Sequence, residues 1–274
     1  MKKVSIALFI GLFAFVAANA QMKEGKIVYE RKINMWKMIT DPEMRTRIPE
    51  FRTSEFELLF NDQASLFRSV PEDEAPDPFA SNGGERGGMR FAFRMPETTT
   101  YTDINAQMQY ESRPMFEKTF LVIDSMKQNK WKISGETKTI AKYLCKKATT
   151  MVAAPQQVRM RFGNGPRSEE DTAAAPKPKE VELVVWYTED IPVSVGPDNY
   201  AGLPGAIMEV DTDNGSNVIV ATEVSTKFPK KELVQPTKGD KMNRAQFQDA
   251  MKKIMEDMQR GGGMGGFRIG RGGN

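Results

Sequence analysis

Strand-like segments follow one another along most of this sequence, and no helical periodicity separates them before residue 236. Apolar and polar residues alternate at 26–35, and a second strand at 54–60 turns back through 65–70 as a hairpin. The remaining strand-like segments lie at 98–104, 107–110, 118–123, 130–134, 137–140, 143–151 and 180–187, with a turn predicted at Gly135-Glu136. Connections without helices favour antiparallel pairing. The sequence therefore predicts a mainly β protein, either a curved antiparallel sheet or a half-open β-barrel.

The tightest constraint within this pattern is a turn at Gly202-Leu203-Pro204-Gly205. Pro204 fixes φ and lacks an N–H, and Gly205 can adopt φ > 0, so the pair suits the centre of a type II turn. The strand before the turn, at 181–187, is apolar on both faces, which is typical of a central strand. After the turn, Asn214-Gly215 predicts a hairpin with a two-residue loop.

Two blocks of residues around this turn resemble a known protein family. The first comprises Trp186-Tyr187-Thr188, Ile191-Pro192, Gly196-Pro197, Tyr200 and 202–207, and the second comprises Trp131-Lys132-Ile133, Thr137-Lys138 and 143–149. Together they resemble the GLPGLI family of secreted Bacteroidetes proteins, over residues 25–250. Ala206 stands where that family usually has Leu, which shortens one apolar side chain. The resemblance implies an exported protein, and it implies no catalytic residues, because the family has no established activity.

Residues 1–20 have the pattern of a cleaved export signal. Lys2 and Lys3 precede an apolar segment at 6–16, and Ala18-Asn19-Ala20 is a small-x-small cleavage site. The apolar segment is shorter than the ~20 residues that a membrane-spanning helix needs, so cleavage is favoured over a membrane anchor. The sequence thus predicts an exported protein without a transmembrane span after cleavage. Its expected location is the periplasm or the extracellular space, with association to the outer membrane left open.

The rest of the chain is predicted to form one domain followed by a helix and a tail. The β-rich domain covers residues 21–236 and is interrupted at 71–97 and 155–179. These insertions are rich in Pro, Gly and charged residues that cannot bury enough apolar surface, so both are predicted to be disordered. Residues 237–260 are predicted to form an amphipathic helix, and the Gly- and Arg-rich residues 261–274 a disordered tail.

The predicted helix is defined by an apolar stripe and by its caps. The stripe recurs at helical spacing through Phe247, Ala250, Met251, Ile254, Met255 and Met258. Asn243 and Gln246 form a capping box, and Gly261 ends the helix. Packing on the sheet is the favoured interpretation. A Met-rich stripe is also adaptable, so covering a groove or docking on a partner or membrane remains open.

The composition removes several kinds of catalytic site. The sequence has no His, so the Ser-His and Cys-His dyads and the commonest metal ligand are absent. Residues 211–215 resemble a calcium loop, but Gly215 and Ser216 stand where that loop needs an acidic or amide residue and then a glycine. The single cysteine, Cys145, follows an apolar residue in a strand-like segment and is predicted to be buried rather than reactive. We predict no enzyme activity, no metal site and no cofactor.

These observations favour a non-enzymatic binding or carrier role. A curved sheet covered by a Met-rich helix would form an apolar concavity, which suits a lipid or another hydrophobic ligand. The predicted binding residues are Trp186, Tyr187, Tyr200, Leu203, Pro204, Ile207, Met251 and Met255. Two alternatives stay open: an adaptor that contacts an outer-membrane protein through residues 186–207, and a carboxylate-dependent hydrolase. The near balance of 39 basic and 36 acidic residues argues against a nucleic-acid partner.

Overall fold

The computed structural model of this chain describes residues 21–38, 45–46, 48–71, 98–115, 118–127, 129–154 and 180–260. The predicted export signal, the first insertion apart from its first residue, the whole second insertion and the predicted tail lie outside these ranges. Among the helices in the described ranges, none combines the length and the apolar character that crossing a membrane would require.

Twelve strands account for most of the described residues. In chain order they are β1 (Gly25–Asn34), β2 (Phe51–Phe60), β3 (Ala64–Ser69), β4 (Thr99–Asp103), β5 (Met108–Met115), β6 (Lys118–Ser125), β7 (Lys132–Ile140), β8 (Tyr143–Ala153), β9 (Glu180–Thr188), β10 (Ala206–Thr212), β11 (Asn217–Ser225) and β12 (Asp240–Met242). The helical elements are α1 (Met35–Met38), a 3-10 turn at Lys230–Glu232 and α2 (Arg244–Arg260).

All twelve strands belong to one open sheet, in the order β12-β6-β5-β4-β3-β2-β1-β11-β10-β9-β8-β7. Two antiparallel meanders, one from each half of the chain, meet where β1 pairs with β11. The short edge strand β12 adds in parallel to β6. The sheet curls until β7 approaches β11, so it has an inner face. The prediction of a mainly β protein with a curved or half-open sheet is confirmed.

Two predicted turns differ from the structure in detail. No turn interrupts β7, which runs through Gly135-Glu136 with an irregular register between Ile133 and Thr137. The β7–β8 hairpin instead turns at Ala141 and Lys142, whose φ values of 46° and 74° suit a two-residue loop of the primed kind. The hairpin predicted at Asn214-Gly215 is present, but its loop has four residues, because β10 ends at Thr212 and β11 starts at Asn217.

Two apolar clusters cover different parts of the inner face. The main core packs side chains of β1, β2 and β3 against those of β7–β11, with Ile27, Leu58 and Leu183 fully buried. The edge cluster is smaller and joins Phe120 and Val122 of β6 to Phe247 of α2. Since cross-strand partners share a face, the register places both clusters on the same side of the sheet.

A C-terminal helix forms, but it starts at Arg244 and not at residue 237, because residues 240–242 pair with β6 as strand β12. Asn243 Oδ1 accepts a hydrogen bond from the Gln246 N–H, and Gln246 Oε1 accepts one from the Asn243 N–H, both at 2.9 Å. This reciprocal pair is the predicted capping box. The ring of Phe247 meets that of Phe120 edge-on, with 5.7 Å between centroids. The helix therefore packs beside β6, near one edge of the sheet, and it does not lie over the main core.

Candidate functional site

The segment between β9 and β10, residues 191–205, is called the motif loop here and lies against the inner face. A Cβ on Gly205 would lie 2.0 Å from the carbonyl oxygen of Thr188, so this glycine is required by space. The glycine of this motif that has a positive φ is Gly202, at +92°, and not Gly205. The predicted type II turn, with Gly205 at φ > 0, is therefore wrong, because backbone contact with β9 determines what residue fits there. Leu203 is buried, as expected for a fixed corner.

Hydrogen bonds fasten the motif loop to its neighbours. The Ile207 N–H donates to the Val195 carbonyl at 2.8 Å, and the Trp131 Nε1–H donates to the Ala201 carbonyl at 3.0 Å. The Tyr29 hydroxyl donates to the Ile207 carbonyl at 2.7 Å. Complete burial raises the pKa of Tyr29 above its usual range, so the hydroxyl keeps its proton and its role as a donor. The motif loop is thus a rigid structural support.

Five of the predicted binding residues surround this support. Tyr187, Leu203 and Ile207 are buried in the main core. Trp186 and Tyr200 are half-buried and pack against the same cluster. The three buried side chains are occupied by packing, so a ligand would have to displace core contacts to reach them.

The other three predicted residues lie elsewhere. Pro204 is exposed on the motif loop. Met251 packs in the edge cluster on α2, and the side chain of Met255 is outside the described set. The structure therefore does not gather the eight predicted residues into one apolar concavity. The motif loop and the helix lie on the same face of the sheet, but buried polar side chains separate them.

Five polar side chains, called the polar strip here, separate the two apolar clusters: Ser65, Thr100, Thr102, Gln109 and Glu111. Cross-strand pairs align Thr100 with Glu111, and Thr102 with both Ser65 and Gln109. All five are buried, with Gln109 only 1% exposed and Glu111 3%. The Oε1 atom of Gln109 has no partner among the described residues. Gln109 Nε2 donates to Thr102 Oγ1 at 3.4 Å, so within the described ranges Oε1 is the strip atom left unpaired, and an unpaired buried polar atom costs about 1–3 kcal/mol.

A groove of about 310 Å³ opens beside the polar strip, and we call it the inner groove. One wall is the tip of the motif loop, Asp198 and Asn199. The opposite wall is formed by Glu111 and Arg113 of β5, next to α2. The remaining lining residues are Arg31, Phe56, Phe67, Thr98 and Thr100. The groove thus places guanidinium, carboxylate, hydroxyl and amide groups beside two aromatic rings.

Arg31 is the more buried of the two arginines that line the inner groove, with 11% of its side chain exposed against 37% for Arg113. Its guanidinium lies over the Phe56 ring, 4.3 Å from the centroid, and Phe56 stacks on Phe67 with 5.1 Å between centroids. Arg31 Nη2 donates to Asp198 Oδ1 at 2.5 Å. The Nε atom is buried and has no partner in the described part of the chain. The rings hold the guanidinium in place through packing and a cation–π contact, while its hydrogen-bonding capacity is only partly used.

Glu111 connects the inner groove to α2. Its Oε2 accepts hydrogen bonds from Arg113 Nε and Nη2 at 2.8 and 2.5 Å. Its Oε1 accepts one from Arg244 Nη2 at 2.6 Å, and Arg244 is the first residue of α2. The Arg113 guanidinium in turn lies 5.1 Å from the centroid of the Phe247 ring. The position of the helix is therefore coupled to the wall of the groove.

A second depression, of about 360 Å³, lies between the β2–β3 and β4–β5 turns. Its polar side chains already accept hydrogen bonds from backbone N–H groups within the turns. Asn61 Oδ1 accepts hydrogen bonds from the N–H groups of Gln63 and Ala64, and Asp103 Oδ1 accepts one from the Ala106 N–H. These bonds explain the polar residues locally, so this depression is the weaker candidate for a binding site.

The described residues give little support for a metal site or a reactive thiol. No cluster of three or more His, Cys, Asp or Glu side chains in these ranges could hold a metal ion. Asp211 Oδ1 accepts a hydrogen bond from the Gly215 N–H at 2.6 Å, which explains the sequence resembling a calcium loop as part of a hairpin turn. Cys145 is buried, as predicted, and burial raises the pKa of its thiol to about 11. A thiol with that pKa is a poor nucleophile at neutral pH.

The sequence pattern of β4 and β5 contains most of the polar strip, but that pattern is the same as in a strand with one solvent-exposed face. On β4 and β5 every second residue is polar: Thr98, Thr100 and Thr102, then Gln109, Glu111 and Arg113. The alternate positions of the same two strands carry Tyr101 and Tyr110, whose rings pair edge-on at 6.1 Å. Simple alternation predicts that the polar side of such strands faces solvent. Here the polar side is buried and borders a groove that the motif loop also lines, through Asp198 and Asn199.

Comparison with known proteins adds a family resemblance without a function. The sequence matches a family model described as "Protein of unknown function (Porph_ging)" over residues 131–209, which is less than half of the chain. The matched range contains β7–β9, the motif loop and the start of β10. The chain is thus similar to a family of unknown function, and its assignment to the GLPGLI family stays a prediction.

Among solved structures, the chain is similar to PNGF-II, seen in the C2 and P21 space groups, with 15% sequence identity and a TM-score of 0.49 in each. Each match covers 84% of this chain and 33% of that chain, so this chain spans about a third of the length of PNGF-II. Among curated proteins, none matches this sequence. At this identity and TM-score, neither an activity nor a ligand is transferred to this chain.

Proposed function

We propose that this chain is an exported, non-enzymatic binding protein that holds a polar ligand in the inner groove. The observation that carries the proposal is the polar strip, which lies buried between two apolar clusters on the inner face. Native interiors rarely leave a buried polar atom unpaired without a role, and among the described residues Gln109 Oε1 in the strip and Arg31 Nε in the groove are such atoms. Ligands bind in concave sites with a few well-placed polar groups. The motif loop supplies a rigid support for one wall of the groove.

The lining changes the expected ligand from apolar to polar. Arg31, Glu111, Arg113 and Asp198 all border the groove, and a purely hydrocarbon ligand would desolvate them without replacing their hydrogen bonds. Phe56 and Phe67 add ring surface that an apolar part of the ligand can contact. A ligand with both polar groups and a small apolar face fits this combination.

The proposal excludes enzyme activity because the carboxylates of the groove already have hydrogen-bond partners. Glu111 accepts hydrogen bonds from two arginines, and Asp198 accepts one from Arg31. The hydrogen bonds from the arginines hold these carboxylates against protein partners rather than leaving them directed at a substrate, and a general acid or base must lie within hydrogen-bond reach of the reacting group. These contacts support binding over proton transfer.

The binding proposal is tested by backbone amide NMR on the mature protein, titrated with a small-molecule extract of bacterial envelopes. We expect shifts concentrated at Thr100, Glu111, Arg113 and Asn199, with fast or intermediate exchange. A groove-blocking variant, Asn199→Trp, should lose those shifts while keeping its fold. The control Asn105→Trp alters the second depression and should keep them. Shifts centred on Trp186 and Met251 instead, or none at all, would refute the proposal.

Export is the other part of the proposal, and its support is the pattern of residues 1–20. Expression in a bacterium with the complete sequence should yield a secreted or periplasmic product that starts at Gln21. N-terminal sequencing of the fractionated product is the measurement. A product that retains residues 1–20 in the cytoplasm would overturn this part.

A second candidate function is a carboxylate-dependent hydrolase, favoured by the presence of Glu111 and Asp198 in one groove. Hydrolases that act on glycosidic bonds use such a pair of carboxylates. A panel of chromogenic glycosides and esters separates the two functions. Turnover by the wild-type protein that both Glu111→Gln and Asp198→Asn abolish would establish the hydrolase, whereas the binding proposal expects none.

A further inference from the structure

Arg31 offers an edge of its guanidinium that Asp198 uses only in part. The Nε–H and one Nη2–H of an arginine point in the same direction and together match the two oxygens of a carboxylate. Only one oxygen of Asp198, Oδ1, accepts a hydrogen bond from this edge, from Nη2 at 2.5 Å. The Nε atom on the same edge has no partner among the described residues. The edge is therefore suited to a carboxylate that could accept from both nitrogens.

The pairing of charges around the groove also favours a carboxylate ligand at Arg31. Three guanidiniums belong to this network, those of Arg31, Arg113 and Arg244, and two carboxylates, those of Glu111 and Asp198. Glu111 is saturated by two arginines, which leaves Asp198 as the single counter-charge to Arg31. Arg31 therefore depends on one partly exposed carboxylate, and a ligand carboxylate can take the place of that group beside the guanidinium.

Asp198 is well placed to leave Arg31. It lies at the tip of the motif loop, with φ +53°, a conformation that aspartate tolerates better than most residues. Its side chain is 36% exposed, whereas that of Arg31 is 11% exposed and held by Phe56 and Phe67. The acid can thus turn toward solvent while the guanidinium stays in place.

We propose that Arg31 is the receptor for a carboxylate group of the ligand, and that Asp198 is the residue that this carboxylate displaces. This inference rests on the proposed binding role of the inner groove and names the chemical class of its ligand, a carboxylic acid. Asp198 then acts as a competitor within the protein, which sets the affinity for acids and disfavours ligands too weak to displace it.

The experiment follows the Nε–Hε resonances of arginine side chains by NMR during titration with acetate, and separately with inorganic phosphate. Acetate should move the Arg31 Nε–Hε signal, and Asp198→Asn should bind acetate roughly tenfold more tightly, because a charged competitor is removed. Arg31→Lys removes that signal, so acetate is followed in this variant at the backbone amides of Thr100 and Asn199, which should no longer shift, since an ammonium cannot offer the paired donors. Backbone amide spectra verify that each variant is folded.

A matched control separates this effect from a general loss of negative charge. Glu232→Gln also removes a carboxylate from an arginine, here Arg68, which lies outside the inner groove. It should leave the acetate affinity of Arg31 unchanged. Equal tightening in Glu232→Gln and Asp198→Asn would overturn the inference, as would an Arg31 signal that acetate does not move in Asp198→Asn. Phosphate binding more tightly than acetate would reject a carboxylate as the ligand group.

Failure of this inference is distinguishable from failure of the binding proposal. If the envelope extract shifts the groove amides while acetate leaves Arg31 unmoved in every variant, the groove binds a ligand without an acid group. If neither the extract nor acetate changes any groove signal, the binding proposal itself fails.

Discussion

The main core and the inner groove lie on the same face of one sheet, yet they bury opposite kinds of side chain. The main core joins fully buried residues such as Ile27, Leu58 and Leu183 under the motif loop. Two strands further along, the polar strip buries Thr100 and Glu111 instead. Apolar burial contributes most of the free energy of folding, whereas buried polar groups usually lower it. The comparison indicates that the main core supplies most of the stability, and it is consistent with the binding role that we propose for the inner groove.

The largest expected effect falls on the motif loop. Gly205→Ala would place a Cβ 2.0 Å from the Thr188 carbonyl oxygen and 2.7 Å from its carbon, and backbone cannot swing away as a side chain does. We expect a loss of about 4 kcal/mol or more in the free energy of unfolding, measured by urea denaturation. Gly135→Ala is the matched control, because nothing lies within 4 Å of its added Cβ. A loss below about 1 kcal/mol for Gly205→Ala would show that the loop contributes little to the main core.

Much of the main core could be predicted from sequence because its signals are local. Alternation located most strands, and the Asn243 and Gln246 pair located the start of α2. The sequence pattern points to Gly205 as a constrained position through a turn with φ > 0. The actual constraint is its contact with Thr188, which depends on tertiary packing. Gly135 was assigned to a turn because glycine is common there, although the strand continues through it.

The inner groove could not be predicted because it depends on which face of the sheet curls inward. Polar residues on β4 and β5 have the same alternation whether they face solvent or a groove. Arg31 interrupts an apolar face of β1, which is a local anomaly in the sequence, and it is the more buried of the two arginines that line the groove. Asp198 comes from the other half of the chain, 167 residues away, so no spacing rule links the two.

The free energy of unfolding should depend on pH because of Cys145 in the main core. Burial raises the pKa of the Cys145 thiol from its ordinary 9.0 to about 11, so above pH 9 the folded state holds a proton that the unfolded state releases. This contribution to stability is complete below pH 9 and is lost as the pH rises toward 11. The expected loss is about 2–3 kcal/mol over that window, since one proton contributes about 1.4 kcal/mol per pH unit.

The measurement is the free energy of unfolding from urea titrations between pH 8 and pH 11. Cys145→Ala serves as the comparison, because its cavity lowers stability equally at every pH. The wild type should lose stability more steeply than Cys145→Ala above pH 9. Parallel curves would mean that the thiol ionises freely and that this part of the core is open to solvent.

Exchanging one side chain between the regions tests the comparison directly. Val185→Thr puts a hydroxyl into the main core, where Val185 is completely buried, and should cost about 2 kcal/mol. The reverse change in the polar strip, Thr100→Val, removes a buried hydroxyl and should leave stability within about 0.5 kcal/mol or raise it. Urea denaturation gives both values. Equal losses for the two changes would contradict the distinction between a region for folding and a region for binding.

The smallest expected effect is at the boundary between the two regions and α2. Arg244→Ala removes one of the two arginines that bind Glu111, while Arg113 keeps the carboxylate paired. Because the buried charge is not left alone, the loss should be about 1 kcal/mol, confined to the helix and not to the whole fold. Hydrogen exchange of the α2 amides should therefore quicken roughly fivefold, while the amides of β9 and β10 keep their rates. Lys252→Ala, on the exposed side of the helix, should change neither. If the helix amides exchange at the wild-type rate in Arg244→Ala, the edge cluster alone holds α2, and the wall of the groove is independent of the helix.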